Sequence, residues 1–177
     1  RFAQIRKGAA PLELGLLFGC DHSDKERPLK PGLVTFGGER KLSTLSSTTV
    51  ALPKPPQTLQ TTLERNRSEG KRLARVILLT PALFKEGFAP QWIGNESVPV
   101  VAAAVQRPQI VSGWDFDLQK PKPNRRMAPA SSVYWVELPD SLDIGKWLDS
   151  IWMQCLSNQM TEQDSKDGFG LCAVGVG

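Results

Sequence analysis

At 177 residues the chain is long enough for one ordinary domain with an apolar core, and 40% hydrophobic with 23% charged residues excludes disordered and fibrous classes. Twenty-two Lys+Arg against 18 Asp+Glu leave a net charge of +4, which permits a polyanionic partner without requiring one. Three cysteines (Cys20, Cys155, Cys172) without a CxxC pair argue against structural zinc or a disulfide framework and fit a reducing cytoplasm, and no apolar run is long enough to span a membrane.

In chain order, Leu12, Leu14 and Leu16 alternate with Glu13 and Gly15, the pattern of a strand with one buried face. The only histidine, His22, follows among Asp21, Asp24, Lys25 and Glu26, a polar loop setting. Leu33 to Thr35 reads as a strand leading into Phe36-Gly37-Gly38-Glu39-Arg40-Lys41. There the glycines let the backbone approach a ligand, and Arg40 and Lys41 bring charge beside it. A glycine pair also serves as an ordinary turn, so this motif alone decides little. Ser43 to Gln60 is rich in Ser, Thr and Pro, and Asn66 to Lys71 is charged, so residues 43–72 are expected to form a long loop or insertion. The cations Arg65, Arg67, Lys71, Arg72 and Arg75, interrupted by Glu64 and Glu69, read as a solvated surface face.

Arg75 to Thr80, Val98 to Val105, Ile110 to Trp114 and Ser132 to Leu138 are strand candidates. Between the last two lies Lys120-Pro121-Lys122-Pro123-Asn124-Arg125-Arg126. It carries four cations in seven residues with no acid between Asp117 and Glu137, and two prolines hold it extended as a loop. With Trp114 nearby to stack on a base, Lys120, Lys122, Arg125 and Arg126 form a candidate RNA contact; a solvated loop is the plainer alternative. Ile144, Trp147, Leu148, Ile151, Trp152, Cys155 and Leu156 draw an apolar stripe down a helix started by Asp140, Ser141 and Asp143. The tail brings Gly168, Gly170, Gly175 and Gly177 around Phe169, so consecutive N–H groups could line an anion nest, although a glycine-rich strand explains them too.

Taken together and in order, FGGERK, LLTPALFKEGFAP, VAAAVQRPQIVSGWD, KPKPNRRMAPASSVYWVEL and DGFG resemble the family of third subunits of type III-B CRISPR Cmr effector complexes, in the RAMP superfamily. The likeness runs from Gly8 to Gly177. It implies an α+β, ferredoxin-like (RRM-type) RAMP fold with an antiparallel sheet and long loops, in one domain that forms the C-terminal half of a longer subunit. It also implies a crRNA-binding role at the 5′ tag without nuclease activity or cofactor. The implied partners are the crRNA, the large Cas10-type subunit and the neighbouring backbone RAMP subunit. By position, Gly168, Phe169 and Gly170 would be the RAMP glycine loop, and Gly37, Gly38, Glu39 and Arg40 a second family loop.

Two other readings stay open. A crRNA-processing endoribonuclease would share the glycine loop and use a histidine base, for which only His22 is available. A protein-only interaction module would use the same aromatic and basic residues, with Tyr134 and Trp135 beside Trp114. No Ser-His-Asp set and no carboxylate cluster with metal-ligand spacing is present in the sequence.

Overall fold

The computed structural model of the chain describes residues 30–36, 41–46, 53–88, 90–94, 98–115, 118–158 and 168–177. The chain divides into two compact units, Arg1–Val50 and Ala51–Gly177, where composition leads one to expect a single domain. In the first unit, β1 (Gly32–Phe36) and β2 (Lys41–Leu45) form an antiparallel hairpin whose register runs from Gly32 opposite Leu45 to Phe36 opposite Lys41. The expected strand at Leu12 to Leu16, His22 and the Gly37 to Arg40 motif lie outside the described residues.

The second unit is built on four antiparallel strands: β3 (Leu73–Leu78), β4 (Val100–Ala104), β9 (Val133–Glu137) and β10 (Cys172–Val176). Their order across the sheet is β10-β3-β9-β4. β9 and β10 are joined through helix α2 (Ile144–Ile151) yet lie on either side of β3, a split β-α-β arrangement. The two-residue period of β3 and β9 explains which face is covered. Ala74, Val76, Leu78, Tyr134 and Val136 are buried, while Leu73, Arg75 and Glu137 are exposed. Against the buried face pack Ile144, Trp147, Leu148 and Ile151 of α2 together with Leu63 of α1 (Gln57–Ser68). Each of these larger side chains contributes about 1.5–3 kcal/mol by leaving water.

Helix α1 corrects the expectation of a loop over 43–72, as does β2 at its start. Only Leu59 and Leu63 of α1, four residues apart, turn to the core, so the sequence carries little periodic signal there. Packing against α2 and β10 supports the helix, a Gln60–Glu64 hydrogen bond of 2.9 Å spans one turn, and Arg65 and Arg67 suit its C-terminal dipole. Arg67 Nη1 then donates to Pro139 O (3.1 Å) and Leu142 O (2.7 Å), and Arg72 pairs with Asp140 at 2.8 Å. These cations of the stretch from Arg65 to Arg75 are spent on the fold.

Helix α2 begins as its sequence dictates, with Asp143 accepting from Lys146 N at 3.0 Å. That bond holds the Asp143 carboxyl below its ordinary pKa. The helix stops earlier than the stripe to Leu156 leads one to expect. Trp152 leaves helical geometry, and Met153 N and Gln154 O are claimed by Cys172 on the edge of β10. Cys155 then bridges Leu171 as a strand residue.

Candidate nucleic-acid interface

Between β4 and β9 the chain runs out and back as a two-stranded arm. β5 (Gln109–Val111) pairs with β8 (Arg125–Met127), and further out β6 (Trp114–Asp115) pairs with β7 (Lys120–Pro121). From Val111 to Trp114 is three steps, whereas from Pro121 to Arg125 is four, so the return strand carries a one-residue bulge. The basic segment Lys120 to Arg126 is thus the return strand of a hairpin, which corrects its reading as a loop. Its prolines fit for a physical reason. Lys122 N donates to Gly113 O at 2.8 Å, and alternation turns the neighbouring positions Pro121 and Pro123 away from the ladder, where an N–H is not needed.

Trp114, opposite Pro121, is 47% exposed on the arm. Lys120 stands opposite Asp115, so the acid-free window of the sequence acquires an acidic neighbour across the ribbon. The Lys122 stem lies over Gly113, and Arg126 is exposed beside Ile110. Arg125 lies on the other face of the ribbon, the face of the buried Met127, and its guanidinium sits over the Phe169 ring at 5.5 Å from the centroid. Two segments more than forty residues apart in sequence, the basic strand and the glycine turn, are thereby joined.

The turn itself is held by two hydroxyls. Thr80 Oγ1 donates to Gly168 O (2.7 Å) and accepts from Leu171 N (2.8 Å), while Ser157 Oγ donates to Phe169 O (3.0 Å) and accepts from Leu83 N (3.0 Å). Neither residue stands out in the sequence, where isolated hydroxyls carry no pattern. Gly168 (φ +74°) and Gly170 (φ +89°) occupy left-handed backbone. Gly170 is buried, its N–H donates to Pro81 O at 2.8 Å, and an added Cβ would lie 2.7 Å from Ser157 N. The expected four-glycine anion nest is therefore not formed. Gly175 belongs to β10 opposite Arg75, and Gly177 N bonds Leu73 O.

Of the candidate RNA-contact residues, Trp114, Lys120, Lys122, Arg125 and Arg126 share the arm, and Phe169 joins it through Arg125. Gly168 and Gly170 shape the turn. Lys41 opens β2 in the other unit, and Gly37, Gly38 and Arg40 lie outside the described residues. Among the described residues no group of three His, Cys, Asp or Glu side chains could hold a metal ion, and no helix is long and apolar enough to cross a membrane.

A family model described as CRISPR-associated protein (Cas_Cmr3) matches residues 8–177. No curated protein matches the chain significantly.

Proposed function

Because the chain belongs to the Cmr3 family of CRISPR-associated proteins, the third subunit of the type III-B Cmr complex, we propose that it is a non-catalytic subunit that binds crRNA through its two-stranded arm. The observation that carries this reading is the Arg125–Phe169 contact, which seats a strand bearing Lys120, Lys122 and Arg126 beside the glycine turn. An exposed indole and a row of cations suit a single-stranded ligand. Bases stack on Trp114, and phosphates pair with Lys122 and Arg126 without regard to sequence.

The split β-α-β of β9, α2 and β10 around β3 supports a ferredoxin-like, RAMP-type unit. In the second split pair, β3 and β4 flank β9, but no helix stands between them among the described residues. The RNA bound would be the repeat-derived 5′ tag, with the large Cas10-type subunit and a backbone RAMP subunit as protein neighbours, in the cytoplasm. Exposed Ile110 and Trp114 also suit a protein partner.

The test is to incubate the purified chain with repeat-derived RNA, with and without divalent metal, following both binding and cleavage. Salt-sensitive binding with the RNA left intact is the expected result. Cleavage abolished by His22→Ala would establish the endoribonuclease reading instead, and absence of RNA binding beside intact subunit association would establish the protein-only module.

A further inference from the structure

We propose that the free edge of β4, from Val101 to Val105, takes up a β-strand of a neighbouring subunit, extending the four-stranded sheet across the subunit boundary. The inference rests on the chain's role as an assembly subunit and goes beyond it by assigning the surface and the mode of contact.

The direction of the backbone groups follows from the hydrogen bonds of β9. Glu137 N donates to Pro99 O at 3.0 Å, so odd-numbered residues of β9 face β4, whereas Ser132 O accepts from Leu78 N on the β3 side. Ala102 and Ala104, opposite Trp135 and Val133, consequently direct their N–H and C=O groups to β9. Ala103 directs both of its groups outward. The register shift between Val100 and Ala102 marks where this open stretch begins.

Several other edge positions of this four-stranded sheet have partners within the chain. Ahead of the shift, Val98 O accepts from Ile93 N and Val100 N donates to Gln91 O. On the opposite edge, Cys172 is paired with Met153 and Gln154, and the Arg75 side chain passes Gly175 to donate to Val176 O. The stretch from Val101 to Val105 has no such cover among the described residues. Val101 is 50% exposed and Ala102 to Ala104 are exposed. It contains neither charge nor proline, the features that keep natural edge strands from pairing.

An edge of this kind offers donors and acceptors in alternation. A phosphate backbone presents acceptors to it, whereas a β-strand matches both. The three alanines select a heterologous strand over a second copy. Self-pairing would set alanine against alanine and bury little apolar surface, while a strand with larger side chains gains area above them.

The experiment uses the full chain in the reconstituted effector complex. Ala103→Pro removes an outward N–H without touching the ladder to β9, and Val101→Lys keeps the backbone and places a charge on the edge. Subunit retention is read by native mass spectrometry, amide exchange at Ala103 is compared before and after assembly, and RNA affinity is measured alongside. The expected result is about tenfold weaker retention of one neighbouring subunit in either variant, the scale of one main-chain hydrogen bond, with slowed exchange at Ala103 on assembly and unchanged RNA affinity. If Ala103→Pro does not fold, Val101→Lys and the exchange measurement decide. Full retention with unprotected Ala103 overturns the proposal and leaves the RNA-binding reading standing. Loss of self-association alone assigns the edge to a second copy and overturns it, as does loss of RNA affinity with all subunits retained. Failure of the wild-type chain to join the complex overturns both readings.

Discussion

The guanidinium of Arg125 stacks over the ring of Phe169 at 5.5 Å, and this contact ties the arm to the turn that follows α2. A double-mutant cycle on Arg125→Ala and Phe169→Leu, read by chemical denaturation, is expected to give a coupling of about 0.5–1 kcal/mol, the range for a partly exposed cation over an aromatic face. Additive single effects would show that the contact does not hold the arm.

Arg126 differs from Arg125 in pointing to the exposed side of the ribbon. Arg126→Ala is therefore expected to flatten the plot of log RNA affinity against log salt by roughly 0.7, one phosphate contact on a single strand. Stability should stay within about 0.5 kcal/mol of wild type. Arg125→Ala should change both stability and affinity. The salt titration with a denaturation control separates the two positions.

Gly168 and Gly170 share left-handed backbone but not surroundings. Gly168→Ala meets open space and is expected to cost roughly 1–2 kcal/mol from backbone conformation alone. Gly170→Ala adds a collision with Ser157 N and should cost about 3 kcal/mol or more. Equal losses in the two variants would mean that the Ser157 segment yields freely.

Tyr134 is buried and its hydroxyl donates to Phe88 O at 2.7 Å; burial raises its pKa to about 12. Burial likewise raises the Cys172 thiol to about 12. Both groups are neutral in the fold at pH values where the unfolded chain ionises them. Stability should accordingly be level below about pH 8 and fall between there and pH 12, with Tyr134 contributing roughly 1 kcal/mol of that fall by about pH 11. Tyr134→Phe should cost about 1 kcal/mol at neutral pH for the lost hydrogen bond and show a shallower alkaline decline. Denaturation curves across pH would test this, and an unchanged alkaline slope in the variant would exclude Tyr134 from it.

At about pH 8, an alkylating reagent should modify exposed Cys155 well before buried Cys172, whose Sγ donates to Ile151 O at 3.1 Å. Peptide mass spectrometry reads the two sites separately. Equal rates would show that the end of α2 opens readily from β10.

Strands β3 and β9 were legible because their two-residue alternation is also their burial pattern, and α2 because Ile144, Trp147, Leu148 and Ile151 all reach the core. Its premature end was not legible, since periodicity continues through Cys155 while the backbone there is bound by β10. Helix α1 was obscured by the prolines before it and by the scarcity of apolar residues along it. At the site, the basic residues and Trp114 were legible as composition. Their placement on a hairpin was hidden because prolines read as breakers unless they fall on alternate positions of a ribbon, as Pro121 and Pro123 do. The meeting of Arg125 with Phe169 depends on tertiary packing and has no local signature.

The glycine turn is fastened by the Thr80 and Ser157 hydroxyls, which both give and receive hydrogen bonds and do not ionise in water's ordinary range. Arg125 leans on this turn through the face of its guanidinium. The turn beneath the arm is thus clasped by groups that neither gain nor lose a proton around neutrality. A pH response in ligand binding would then originate in groups other than these fasteners.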